Sequence, residues 1–176
     1  FLCYGSSITQ GGCASRPDNA YQSIVTKLNR IDHINLGFSG NAKGEVSMAE
    51  YCKKVPCSVF IYAYDNNSPS AEHLKETHER FFKIFRSAQP NTPVILISAT
   101  NYNERPHEYK LRREVVLQTY KNALANGDRN VYFIDGKNIY PSSLRHSCTV
   151  DGAHPNDLGF YFIAKKILEI TNKLFK

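Results

Sequence analysis

At 176 residues, with 41% hydrophobic and 22% charged side chains, the chain has the make-up of one globular domain and needs no disulfide or metal staple. Its formal charge of +6 is scattered among acidic residues on predicted helix faces, which argues against a nucleic-acid-binding stripe. Apolar runs fall short of the roughly 18 residues a membrane helix requires, and five cysteines without a CxxC pair (Cys3, Cys13, Cys52, Cys57, Cys148) read as reduced thiols, which favours a cytoplasmic setting.

The chain opens on an apolar run, Leu2 to Tyr4, that stops at Gly5 and is followed by two hydroxyls, Ser6 and Ser7. This reads as a buried strand and a tight turn, and residues just past a strand end are where open α/β sheets place their ligands. Because the first residue already lies in a predicted strand, the chain is expected to be a fragment of a longer protein with an upstream domain. Apolar residues at helical spacing (Ala20, Ile24, Val25, Leu28) predict a first helix over 20–29, after a loop that carries Arg16. A second strand follows over 31–36, ending in the glycine turn Gly37-Phe38-Ser39-Gly40-Asn41.

A second helix is predicted over 44–54, carrying Val46, Ala49 and Tyr51, and a third strand over 57–63, ending in Tyr64-Asp65-Asn66-Asn67. Ser70 caps a long helix over 71–88 with Leu74, Phe81, Phe82 and Phe85 on one side, stopped by Pro90 and Pro93. The fourth strand covers 94–99 and leads into a polar loop with Tyr102 and Arg105. A helix over 108–125, a fifth strand over 131–134, an irregular stretch over 135–150 and a final helix to about residue 175 complete the chain.

Five strands alternating with five helices call for right-handed crossovers between parallel neighbours. The predicted architecture is a flavodoxin-like three-layer α/β/α sandwich around a five-stranded parallel sheet, one domain over 1–176. All strand C-termini then share one edge, where Ser7, Gly40, Asn67 and the segment Asp151-Gly152-Ala153-His154 converge from four loops. A hydroxyl becomes a useful nucleophile when an imidazole takes its proton and a carboxylate fixes the imidazole's tautomer. On residue types alone, either Ser6 or Ser7 serves as nucleophile.

Gly5-Ser6-Ser7-Ile8-Thr9, Gly37 to Gly40, Asp65-Asn66-Asn67 and Asp151 to His154 together resemble, in order, the four blocks of the SGNH or GDSL-type hydrolases. Wider wording around Ile34 to Asn41 and Val150 to Gly159 resembles a bacterial branch with carbohydrate-deacetylase relatives. The resemblance implies Ser7 as nucleophile, with Ser6 standing where the family usually has Asp. It implies His154 as general base and Asp151 as the carboxylate that orients it. The backbone N–H groups of Ser7 and Gly40 and the Asn67 amide become the oxyanion donors, with Asn66 the rival to Asn67.

No metal or organic cofactor is expected, since His146, Cys148 and His154 match no standard zinc spacing. The expected substrate is a small acyl ester, acetyl on a carbohydrate first, with no nucleic-acid or membrane partner. Arg16, Tyr64, Asp65, Tyr102 and Arg105 lie on the same edge as candidate substrate contacts. His33, His73, His78, His107 and His146 read as surface histidines. The reading from another class is a non-catalytic phosphate- or sugar-binding module on the same fold, which leaves the Asp-x-x-His segment unexplained.

Overall fold

Strand alternation decides the layers of this molecule, whose computed structural model describes residues 1–100 and 106–175. The strands β1 (Leu2–Gly5), β2 (Ile34–Gly37), β3 (Phe60–Ala63), β4 (Val94–Ile97) and β5 (Val131–Ile134) are all parallel, in the order β2-β1-β3-β4-β5. Leu2, Tyr4, Phe60, Tyr62, Val94 and Leu96 face one side and pack on α3 (Val46–Cys52), α4 (Ala71–Ala88) and α5 (Pro106–Ala125). Cys3, Ile61, Ile95 and Ile97 face the other, against α2 (Tyr21–Asn29) and α6 (Asp157–Leu174). The result is the expected three-layer α/β/α sandwich, and β1, β3 and β4, covered on both faces, are correspondingly apolar throughout.

The chain leaves β1 for β2 on one side and then crosses to β3 on the other, so the strand order reverses at the C-terminal end of β1. Side chains at such a reversal are splayed apart by diverging loops, which opens a crevice there. Among the described residues no helix is long and apolar enough to cross a membrane, and all five cysteines are free.

Several expected boundaries shift for identifiable reasons. The segment after β1 is a four-residue helix, α1 (Ser7–Gln10), rather than a simple turn; it is too short to show a helical period. β2 starts at Ile34 because the residues before it serve other bonds. The Ile31 N–H closes α2 on Thr26 O, and the Asp32 carbonyl accepts from the Phe1 ammonium. β4 ends at Ile97, since the Ala99 N–H is taken by the Asp65 carboxylate. The stretch over 135–150 holds two 3-10 turns, Gly136–Asn138 and Ser142–Cys148.

The α4 face of Leu74, Phe81, Phe82 and Phe85 is buried as its spacing predicts. Leu28, Val46 and Tyr51 are exposed instead of buried. His78 overturns its expectation as a surface residue: it is 1% exposed, its Nδ1 lies 2.8 Å from Thr119 Oγ1, and its ring packs on Tyr62 and Tyr64.

Candidate active site

The position of Ser7 follows from two glycines. At Gly5 a Cβ would sit 2.1 Å from Thr9 Oγ1 and 2.5 Å from Ala63 O, so only glycine lets α1 fold back on the end of the sheet. At Gly37 a Cβ would meet the Gln10 backbone nitrogen at 2.2 Å, so a second glycine lets α1 lie against the end of β2. Ser6, 1% exposed, faces inward and caps α1 through its Oγ, which accepts from the Ile8 N–H at 3.2 Å. Of the two candidate serines it is therefore Ser7 that stands in the crevice. Beneath it Tyr21 donates to Thr9 Oγ1 at 3.0 Å and fixes the far side of the helix.

Asp151 and His154 arrive on a small hairpin closed by a bridge between Thr149 and Pro155 and by the Val150 N–H donating to His154 O at 3.0 Å. Within it, Asp151 Oδ1 accepts from the N–H groups of Ala153 at 2.9 Å and His154 at 2.7 Å, while Oδ2 lies 2.6 Å from His154 Nδ1. His154 Nε2 lies 2.9 Å from Ser7 Oγ. An ionised carboxylate only accepts, so the Nδ1 proton points to Asp151 and Nε2 is left to accept from the Ser7 hydroxyl.

The Asp151 carboxyl is held down at about 2, first by the His154 N–H and then by the imidazole and the Ala153 N–H. Its side chain is 49% exposed and that of His154 36%, so the pair opens to solvent. Asn156 caps α6 directly after the hairpin, accepting from the Gly159 N–H. Asp157 accepts from Ser15 and Asn19, which ties the loop after α1 to the same helix start.

The Phe38 N–H donates to Gly5 O at 2.8 Å and the Ser39 N–H to Gln10 Oε1 at 3.1 Å, drawing the glycine turn onto α1. Gly40 adopts a φ of 69°, a left-handed conformation that favours glycine, with open space around its Cα. Asn67 Nδ2 donates to Phe38 O at 2.8 Å, so one amide hydrogen anchors the side chain beside the turn and the other remains for a ligand. The rival Asn66 has its Oδ1 buried among protein atoms.

The structure treats the candidate substrate contacts differently. Arg16 is exposed and lines a groove of about 370 Å³ with Gln10, Gln22, His33 and Asn35. Tyr64 is corrected: it is 1% exposed, its hydroxyl bound to Thr77 at 2.7 Å in the aromatic core. Asp65 is corrected as well, being 2% exposed; its carboxylate accepts from the Ala99 N–H at 2.7 Å and the Asn66 N–H at 3.0 Å, and burial pushes its pKa up to about 6. Tyr102 and Arg105 lie outside the described residues. Among the described residues no group of three His, Cys, Asp or Glu is arranged to hold a metal ion.

Sequence reasoning did not single out Arg112, 4% exposed on α5, whose guanidinium reaches the turn that bears Asn67. Its place within Lys110-Leu111-Arg112-Arg113 looks like any solvated basic run.

Residues 1–172 match the family model for GDSL-like lipases and acylhydrolases. A GDSL-like lipase from Bacteroides ovatus is 31% identical over 98% of this chain and 52% of its own, with a TM-score of 0.85. A two-domain esterase active on acetylated mannans superposes at a TM-score of 0.71 with 22% identity, over all of this chain and 50% of its own. A family 3 carbohydrate esterase from Clostridium thermocellum matches at 0.75 and 16% identity, over 99% and 95% of the two chains. This chain thus spans about half the length of the first two. No curated protein matches it in sequence.

Proposed function

Because the chain belongs to the GDSL-like lipase and acylhydrolase family, we propose that it is a serine esterase that removes small acyl groups, acetyl above all, from carbohydrate esters. The observation that carries this reading is the relay Ser7 Oγ to His154 Nε2 at 2.9 Å and His154 Nδ1 to Asp151 Oδ2 at 2.6 Å.

In the proposed reaction His154 takes the Ser7 proton as the oxygen attacks the ester carbonyl, and the Asp151 charge steadies the imidazolium. The tetrahedral oxyanion sits against the N–H groups of Ser7 and Gly40 and the free amide hydrogen of Asn67, donors worth about 10²–10³-fold each. His154 returns its proton to the departing alcohol, leaving an acyl-serine. A water deprotonated by His154 attacks that ester, and the carboxylic acid leaves as Ser7 regains its proton.

A carbohydrate alcohol is supported by the open, half-exposed acid–base pair. The likeness in fold to esterases of acetylated mannans adds to this. The small acyl group rests on the absence from the sequence of a long apolar segment that would form a lid.

The test is turnover of p-nitrophenyl acetate by the chain and its Ser7→Ala and Ser6→Ala variants, with phosphonate labelling read by mass spectrometry. Ser7→Ala is expected to lose both turnover and label, and Ser6→Ala to keep the label. Acetyl esters should be cleaved faster than long-chain esters, and acetate should be released from acetylated mannooligosaccharides. Faster cleavage of long-chain esters would overturn the small-acyl reading. Labelling at a residue other than Ser7 would overturn the mechanism.

A further inference from the structure

We propose that Arg112 is a positioning residue for the reaction, setting the Asn67 amide by gripping the turn on which it stands; this rests on Asn67 serving as an oxyanion donor. The turn, Asp65–Asn67, is a three-residue helical turn within the connection over 64–70 that leads from β3 to α4. A span this short has few bonds of its own: the Asn67 N–H reaches Tyr64 O at 2.9 Å, and the Ser68 N–H reaches Asp65 O at 3.3 Å. The remaining constraints come from elsewhere in the fold.

Arg112 supplies two of them. Its Nη1 donates to Asp65 O and, at 2.7 Å, to Ser68 O, the carbonyls immediately before and after Asn66 and Asn67. One nitrogen with two hydrogens therefore fixes both ends of the segment carrying the amide. The other side of the guanidinium is held one helical turn away, where Nε and Nη2 donate to Glu108 Oε1 at 3.1 and 2.6 Å. From the opposite direction the Asp65 carboxylate ties the turn to the chain just past β4, accepting from the Ala99 N–H.

A guanidinium 4% exposed is an expensive way to fill space, because an ion removed from water is tolerated only if each of its donors is met. Here Nε and Nη2 are met by Glu108, and Nη1 by two backbone carbonyls of a candidate catalytic turn, which an aliphatic side chain would leave without that partner. The rigid fork of arginine spans two carbonyls at once, whereas a lysine ammonium is a point charge on a flexible stem. Arg112 makes its contacts through backbone groups of the turn, so its influence passes through the placement of Asn67.

The experiment is a double-mutant cycle of Arg112→Lys and Asn67→Ala, with p-nitrophenyl acetate kinetics, pH profiles and thermal melts for all four proteins. Arg112→Lys is expected to lower kcat by about 10- to 100-fold, the scale of a displacement of about 1 Å in a catalytic group, with KM and the pH profile unchanged. In the Asn67→Ala background the same substitution is expected to change kcat by less than about threefold, since neighbouring sites that act as a unit are not additive.

An equal loss of kcat in both backgrounds would make Arg112 a structural residue and overturn the proposal while leaving Asn67 in place. An Asn67→Ala variant with unaltered kcat would remove the oxyanion reading itself and the proposal with it. If Arg112→Lys does not fold, Glu108→Gln, which loosens the guanidinium from the half-exposed side, takes its place in the cycle. The same coupling is then expected at smaller amplitude, and additive behaviour again overturns the proposal.

Discussion

Asp151 shows how much can be asked of a carboxylate that is half in water. Two backbone N–H groups and the imidazole hold its pKa down at about 2, so it is ionised at neutral pH. Asp151→Asn is expected to leave the melting temperature nearly unchanged and to reduce kcat by about 10³–10⁴-fold, because an amide in place of the carboxylate stabilises the wrong tautomer. Steady-state kinetics beside a thermal melt check both halves of this. Asp65 is the opposite case. Burial raises its folded pKa to about 6, above the ordinary carboxyl value of 3.8, so the folded state holds a proton that the unfolded state releases. Its contribution to stability is present at low pH and declines as pH rises through that window. Ser6 lines the same small interior space as Asp65, so Ser6→Asp would bring two carboxylates together. The melting temperature of that variant is expected to fall, more at pH 8 than at pH 5, and to recover when Asp65→Asn is added.

At the scale of the element, α4 carries the clearest sequence signal and also its main surprise. Ser70 accepts from the His73 N–H at the start of the helix, and the phenylalanine face follows from spacing. His78 stands in that buried face although its residue type reads as exposed; a periodicity argument counts apolar residues and passes over a histidine whose ring does the same packing. Burial drives its pKa down from the ordinary imidazole value of 6.5 to about 3. The unfolded chain then binds a proton the folded chain refuses, so the stability His78 provides is present above about pH 6.5 and lost as pH falls towards 3. Between pH 3.8 and about 6 this opposes the effect of Asp65, and below that range it acts without that opposition. His78→Phe is expected to reduce the drop in melting temperature between pH 7 and pH 4. The Thr119 hydroxyl it abandons retains the Val115 carbonyl as a partner at 3.3 Å. α1 was not legible as a helix for the opposite reason: four residues cannot display a period, and Ser6 as cap became recognisable only once its bond to Ile8 was seen.

Across the whole molecule, the strand count, the parallel sheet and the layers were legible because each strand is a short apolar run between turn signals. The convergence of Ser7, Gly40, Asn67 and the Asp151 to His154 segment followed from that topology. What sequence could not give was the direction of side chains at the strand ends. Tyr64 and Asp65 follow β3 on the same edge as Asn67 yet turn inward, and the role of Arg112 depends on a partner 44 residues away from it at Ser68. Gly37 is the joint at which sheet and site meet. Gly37→Ala would set a Cβ 2.2 Å from the Gln10 nitrogen, and α1 must lift away from β2 to admit it. Since a shift of about 1 Å can cost about 10²-fold in rate, kcat is expected to fall by that order in a variant that still unfolds cooperatively on melting.

The hairpin that carries Asp151 and His154 makes almost all of its bonds to itself. The candidate base and its carboxylate therefore travel as one cartridge, while the distance from His154 to Ser7 spans to a different part of the chain. Injury elsewhere in the protein would then register as a gap between two intact halves, an aligned imidazole and carboxylate facing a serine they no longer reach.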